Sequence, residues 1–247
     1  MTYTERTYRE LHHQGDLIHF QVSIKETDLD IGVRRERFSP DLVRRVKEII
    51  SEQRTLLEEY IKGDPDFQTT LVPHQLRPGA PALAVAMAEA ARLAGVGPMA
   101  AVAGAFAQYV GKDLARQSRD VIVENGGDIF LRSARPRKVG IFAGPSPFTN
   151  KIALEVQPWQ TPLGICTSSG TVGHSLSFGK SDAVVILAPS APLADAVATA
   201  AGNLVQTEAD VQKAVDFAAK IPGVIGAVAI KGEKLAAWGQ VKLVPMF

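Results

Sequence analysis

Three stretches carry side chains suited to chemistry. The first is Asn125-Gly126-Gly127-Asp128, set between apolar runs on either side. Its glycines admit positive φ and leave room for a ligand against the backbone. Asn125 offers a donor and an acceptor, and Asp128 an acceptor. The same four residues also spell a β-hairpin turn, for which Asn-Gly is a strong signal. The second is Thr167-Ser168-Ser169-Gly170-Thr171-Val172-Gly173-His174-Ser175, with five hydroxyls, two glycines and one imidazole in nine residues. Such a loop is able to wrap phosphate with N–H groups and hydroxyls, and His174 is a candidate acid or base near neutral pH. It lacks the Gly-Lys-Ser/Thr ending of a nucleotide P-loop. The bland alternative is a polar loop whose hydroxyls cap their own backbone.

The third is Ala194-Asp195-Ala196-Val197-Ala198-Thr199, on a helix opened by Pro192. A spacing of four puts the Asp195 and Thr199 oxygens on one helix face. A carboxylate and a hydroxyl are hard ligands of the kind Mg²⁺ takes together with water and phosphate oxygens. Alternatively, Asp195 favours the helix start and Thr199 bonds back to a carbonyl. Cys166, the only thiol, stands where an apolar strand meets the hydroxyl loop; it is either a small buried hydrophobe or a reactive group. Histidines 12, 13, 19, 74 and 174 show no metal-binding spacing.

Positioning these groups requires a framework of strands and helices. Residues 17–37 read as extended, with Phe20, Val22 and Ile24 alternating. Ser39-Pro40-Asp41 announces a helix, and Gly63-Asp64-Pro65 ends it. Helices are expected at 81–94 and 98–116. The second is rich in Ala and Gly over 100–107, which lets a neighbouring helix or a ligand approach closely. Short strands follow at 121–123, 129–131, 138–143, 152–156, 163–166 and 183–187. Helices come next at 192–202 and 208–220, then a terminal hairpin of 224–230 and 235–244 around Gly232. Helix runs and strand runs without a βαβ rhythm predict an α+β fold with mixed antiparallel sheets packed with helices. A single domain is expected over 1–247, with an N-terminal part, 1–96, and a motif-bearing part, 97–247, that does not fold separately.

The 247 residues are 46% hydrophobic and 21% charged, a globular composition. Lys and Arg number 27 and Asp and Glu 26, so the overall charge does not ask for nucleic acid. One cysteine excludes a disulfide framework and a Cys-rich metal site. The polar first fourteen residues lack a signal-peptide core, and glycines interrupt the apolar stretch at 93–111. The expectation is a cytoplasmic protein without membrane spans. Between Gln157 and Gln206 only Lys180, Asp182 and Asp195 are charged, as befits either a buried site or an ordinary core.

In their order along the chain these motifs resemble the ApbE-like superfamily. The stretches Gly97-Pro98-Met99-Ala100-Ala101-Val102-Ala103-Gly104 and Cys166 to Lys180 are most similar to its short cytosolic branch. Members include Mg²⁺-dependent enzymes that bind FAD and move its FMN half to a protein threonine. The resemblance implies that Asp195 and Thr199 form a metal pair. It places Asn125, Gly126, Gly127 and Asp128 at the flavin nucleotide, with Thr167, Ser168, Ser169 and Gly170 beside it. His174 and Cys166 are the catalytic candidates. FAD, Mg²⁺, a protein acceptor and a homo-oligomer are the implied partners. Catalytic members carry His-Ile-x-Asp-Pro-x-x-Gly where this chain has His174-Ser175-Leu176-Ser177-Phe178-Gly179-Lys180, and a Lys-Gly step where it has Ala103-Gly104. Two other functions fit the residues: sulfur assimilation or carriage through Cys166, and a non-catalytic ligand-binding module.

Overall fold

A computed structural model describes residues 15–171 and 177–246. Strands β1 (Leu17–Ile24) and β2 (Thr27–Arg34) form a hairpin. Helix α1 (Pro40–Gly63) then starts where Ser39 Oγ accepts from Leu42 N, and buries Val46, Ile49, Ile50 and Leu57. A short α2 (Asp66–Thr69) and α3 (Ala82–Ala94) follow, the latter closed by Gly95 at φ +75°. A 3₁₀ turn over Pro98–Ala101 leads into α4 (Val102–Leu114).

The middle of the chain is mostly strand: β3 (Val121–Asn125), β4 (Asp128–Arg132), β5 (Arg137–Gly140), β6 (Ile152–Val156), β7 (Leu163–Ser168) and β8 (Ala183–Ala188). It ends with α5 (Ala191–Asn203), α6 (Val211–Ala219), β9 (Gly226–Lys231), β10 (Lys234–Gly239) and β11 (Leu243–Pro245). Every ladder is antiparallel. Eight strands form one sheet in the order β1-β2-β3-β4-β7-β8-β9-β10, and β11-β6-β5 form a second. This is the α+β arrangement expected.

Two apolar clusters make the layers. Val184, Ile186 and Ala188 of β8 face the helices, while Ala183, Val185 and Leu187 join Leu154 and Val156 of the small sheet. A strand buried on both faces needs an unbroken apolar run, which Ala183 to Ala188 supplies. Two glycines seat α4. A Cβ on Gly111 would lie 2.1 Å from the ring of buried Phe130, and one on Gly104 would lie 2.5 Å from the Ala191 carbonyl oxygen. The small residues of α4 therefore serve helix–sheet and helix–helix contact. Removing the Phe130 ring would cost about 3–5 kcal/mol.

Several boundaries differ from expectation: the strand expected at 163–166 runs on to Ser168, so Thr167 and Ser168 stand in β7, and the helix expected at 208–220 is a 3₁₀ turn followed by α6. The strand expected at 138–143 stops at Gly140. The strand expected at 235–244 is two strands in different sheets. The break falls at Gly239, which has φ +79° and sits so close to Ile225 that a Cβ would lie 2.3 Å from its carbonyl oxygen.

Candidate functional site

The β3–β4 hairpin ends in Gly126 (φ +68°) and Gly127 (φ +108°), with Asn125 and Asp128 paired across the turn. The hairpin reading of these four residues is therefore correct. Gly127 packs against Thr167, since a Cβ there would be in ordinary contact with the Thr167 carbonyl oxygen at 3.8 Å and with its Cβ at 4.0 Å. Gly127 N donates to Glu124 Oε1 at 3.2 Å. Asp128 stands opposite Cys166 of the neighbouring strand β7, on the helix-facing side.

Strand β7 lies along α5 through small residues. A Cβ on Gly164 would lie 2.4 Å from Ala191 Cα, and one on Gly202 would lie 3.3 Å from Ser168 Oγ. Four strand residues span about 13 Å and eleven helical residues about 16 Å, so the two elements run side by side. Asp195 stands one turn into α5, 9% exposed. It meets the N-terminus of α4, where Gly104 N donates to Asp195 Oδ2 at 2.8 Å and the Ala103 N–H also faces the carboxylate. N–H groups in a helix's first turn have no intrahelical acceptor, so an anion there is stabilised. Asn125 Nδ2 donates to the Ala103 carbonyl at 3.1 Å. One peptide unit, 103–104, thus sits between the Asn125 amide and the Asp195 carboxylate.

Burial, and then the nearby Asp128 carboxylate, pushes the Asp195 carboxyl well above its ordinary range, against the opposing pull of the Gly104 and Ala103 N–H groups. The Cys166 thiol is fully buried and donates to the Ala191 carbonyl at 3.3 Å. Burial, followed by Asp128 and Asp195, raises it well above the ordinary thiol value. Such a group is a poor nucleophile, because thiolate is the reactive form.

The structure gathers Asn125, Gly126, Gly127, Asp128, Cys166, Thr167 and Asp195 around one spot beside Ala103–Gly104. Thr199 is one turn further along α5 and half-buried. Ser168, Ser169 and Gly170 lie nearer the far end of that helix. Ser168 faces Gly202, Ser169 Oγ donates to the Ser181 carbonyl at 3.4 Å, and Gly170 N donates to the same oxygen at 2.9 Å. A Cβ on Gly170 would lie 2.0 Å from the Gly179 carbonyl oxygen, so backbone packing accounts for this glycine. His174 lies outside the described residues.

Sequence reasoning missed two features. Gln108 Oε1 accepts from Ala191 N at 2.9 Å and caps the start of α5; a lone glutamine on a helix gives no signal of this. Asp120, 1% exposed, accepts from Ser133 Oγ, Ala134 N and Arg137 Nη2 at 2.7, 2.9 and 3.2 Å, and pairs with Arg34. Burial would raise its carboxyl, but these donors prevail and hold it at about 2.

A hard divalent cation fits the donor set. Asp128 and Asp195 are both buried, and Thr199 lies on the same face of α5 as Asp195. Mg²⁺ uses one or two carboxylates and keeps room for water and phosphate. Among the described residues no group of three or more His, Cys, Asp or Glu is placed to hold a metal ion. No single described helix is long and apolar enough to cross a membrane.

Layered antiparallel sheets, the Gly-Gly hairpin and the late helix that carries Asp195 are the arrangement of an ApbE-like protein, as the comparisons show. The fold is similar to the flavin transferase ApbE of Vibrio cholerae, with TM-score 0.56 and 14% identity over 90% of this chain and 96% of that one. It is also similar to the apo flavinyl transferase ApbE of Pseudomonas stutzeri, with TM-score 0.54 and 14% identity over 90% and 94%. A family model described as "AbpE bacteria" matches residues 9–241, and the chain belongs to that family. Among its relatives are a UPF0280 protein of Methanothrix thermoacetophila, 43% identical over 82% of this chain and 86% of that protein, and one of Methanococcus aeolicus, 36% identical over 91% of each.

Proposed function

We propose that the protein binds FAD with Mg²⁺ at the Asp128–Asp195 end of α5 and transfers the FMN half to a hydroxyl of a protein acceptor. The observation that carries this reading is the buried Asp195 held against the first N–H groups of α4, with buried Asp128 beside the Gly126-Gly127 turn of β3–β4. Such a pair is unfavourable on its own and becomes favourable when a divalent ion lies between it and an anionic ligand. The ion, when bound, neutralises pyrophosphate charge.

The chain's own groups have distinct roles. The first N–H groups of α4 fix Asp195, and Asn125 holds the peptide that carries one of them. The Gly126-Gly127 turn, with Thr167 packed beside it, would offer its backbone to the ligand. In the transfer, the acceptor oxygen forms a bond to the flavin-side phosphorus, the P–O–P bridge breaks, and AMP leaves with the bridging oxygen. The hydroxyl proton passes to a base, for which His174 is the candidate by sequence. The similarity to proteins whose names record flavin transfer supports the choice of flavin. Cys166 has no part in it, since a sulfur carrier's thiol must reach its partner and this one is sealed inside.

The test is equilibrium dialysis with FAD, with and without Mg²⁺, followed by mass spectrometry of acceptor candidates and assay of AMP. Mg²⁺-dependent binding lost in Asp195→Asn is the expected result. Absence of bound flavin at roughly millimolar FAD would end the proposal. Binding without AMP release would leave a ligand-binding module in its place.

A further inference from the structure

The near-neutral total charge hides a strong segregation. Segments 34–47, 112–120 and 132–137 hold twelve of the 27 Lys and Arg but only four of the 26 Asp and Glu. The remainder carries fifteen cations against twenty-two carboxylates. The fold brings the three segments together. Arg34 pairs with Asp120, Arg45 Nη2 lies 3.3 Å from Asp113 Oδ1, and Arg132 Nη1 donates to the Ala115 carbonyl. Inside the seam Asp120 is used up by Arg34 and Arg137, and Asp16 binds Arg137. Five exposed cations, Arg35, Arg37, Lys47, Lys112 and Arg119, have no side-chain partner among the described residues.

This basic end surrounds the C-terminus of α4, whereas Asp195 meets its N-terminus. Thirteen helical residues put the two about 20 Å apart, so the patch is separate from the site above.

We propose that the basic end is a docking surface for an acidic polypeptide segment of a partner protein. Charge complementarity argues for an anion, and ten of the twelve cations are arginines, whose forked donors match carboxylates in pairs. Two observations favour a polypeptide over nucleic acid. Glu36 and Asp41 are exposed among the cations and would oppose a continuous phosphate backbone, but leave gaps for separate carboxylates. A long polyanion would also run off the patch onto a remainder with seven surplus negative charges.

The experiment is fluorescence anisotropy with a labelled Glu-Ala repeat peptide, on the full chain and on a variant with Arg35→Glu, Arg37→Glu and Arg119→Glu. Parallel arms use a single-stranded oligonucleotide, phosphatidylserine vesicles, and sedimentation of the protein alone. These three exposed side chains make no hydrogen bond or ion pair among the described residues, so the variant should keep its melting temperature and any FAD binding. The expected result is peptide binding at low salt that weakens at least about tenfold in the variant and fades for both proteins as salt rises. Equal binding by the variant, or no binding at low salt, overturns the proposal. Tighter binding of the oligonucleotide or vesicles overturns the polypeptide assignment, and self-association lost in the variant would make a second copy the occupant. None of these outcomes depends on flavin chemistry.

Discussion

Gly104→Ala is the most informative single change. An added Cβ would stand 2.5 Å from the Ala191 carbonyl oxygen and 2.9 Å from Asp195 Cβ. Ordinary contact needs roughly 3.4 Å or more, so α4 and α5 would have to part by nearly 1 Å. The clashing oxygen is backbone and Ala191 is held by Gln108 and Cys166, so no flexible side chain can yield. Overpacking of this kind costs about 1–3 kcal/mol, and the better helix propensity of Ala returns at most about 1. The net loss, up to about 2 kcal/mol when Ala returns its full propensity, lowers the melting temperature by as much as roughly 8 °C in a chain of this size. The separation also stretches the 2.8 Å bond from Gly104 N to Asp195 beyond hydrogen-bond range. Thermal unfolding followed by circular dichroism, with Mg²⁺ titration by calorimetry, reads both effects. Gly63→Ala is the control, since nothing lies within 4 Å of its Cβ position and its melting temperature should hold or rise. A Gly104→Ala protein that melts with the wild type and binds Mg²⁺ equally well would show that the α4–α5 contact does not set the site.

Three further outcomes follow from the same geometry. Asp195→Asn keeps an acceptor for Gly104 N and removes the repulsion with Asp128. Without cation it should therefore melt at or above the wild-type temperature near neutral pH, while losing the stabilisation of about 2.7 kcal/mol that wild type gains at a hundredfold excess of Mg²⁺ over Kd. Asp120 is held at about 2 against an ordinary 3.8, so its contribution of about 2 kcal/mol is complete above pH 4 and disappears as pH falls through 2; urea unfolding across that range should lose this increment in wild type, and an Asp120→Asn protein should not show it. Cys166, buried and protonated, should resist iodoacetamide in the native protein and react fully in guanidinium, as followed by intact mass.

What the sequence disclosed depended on whether the signal was local. Ser39-Pro40-Asp41 and Gly95 mark helix ends within a few residues, and both stand where those signals put them. The Asn-Gly-Gly-Asp turn is equally local, and the hairpin follows from it. The apolar run from Leu235 to Val244 conceals a change of sheet, because the break at Gly239 is imposed by its approach to Ile225 from another part of the chain. Asp120 and Arg137 are seventeen residues apart and Arg137 and Asp16 are 121 apart, so no window of the sequence contains the network. At the site, residue type indicated that Asn125 had a donor to give. Only the packing of α4 against β3 shows that the donor goes to the Ala103 carbonyl.

That use of Asn125 bears on how the carboxyl pair is maintained. A buried charge is tolerated when fixed dipoles surround it. Here the amide of Asn125 and the carboxylate of Asp195 grip opposite ends of one peptide, and the start of α4 supplies the N–H groups. Asp128, on the strand side, still faces Asp195 closely enough to push its carboxyl up. A cation bound there, as proposed, would favour the ionised form of that carboxyl. Replacing Asn125 with Leu should therefore weaken Mg²⁺ binding through Asp195, and in an Asp195→Asn background the same replacement should have no further effect on it. Additive losses in that double-mutant cycle would mean that Asn125 acts on the ligand directly, and the relay through the 103–104 peptide would be wrong.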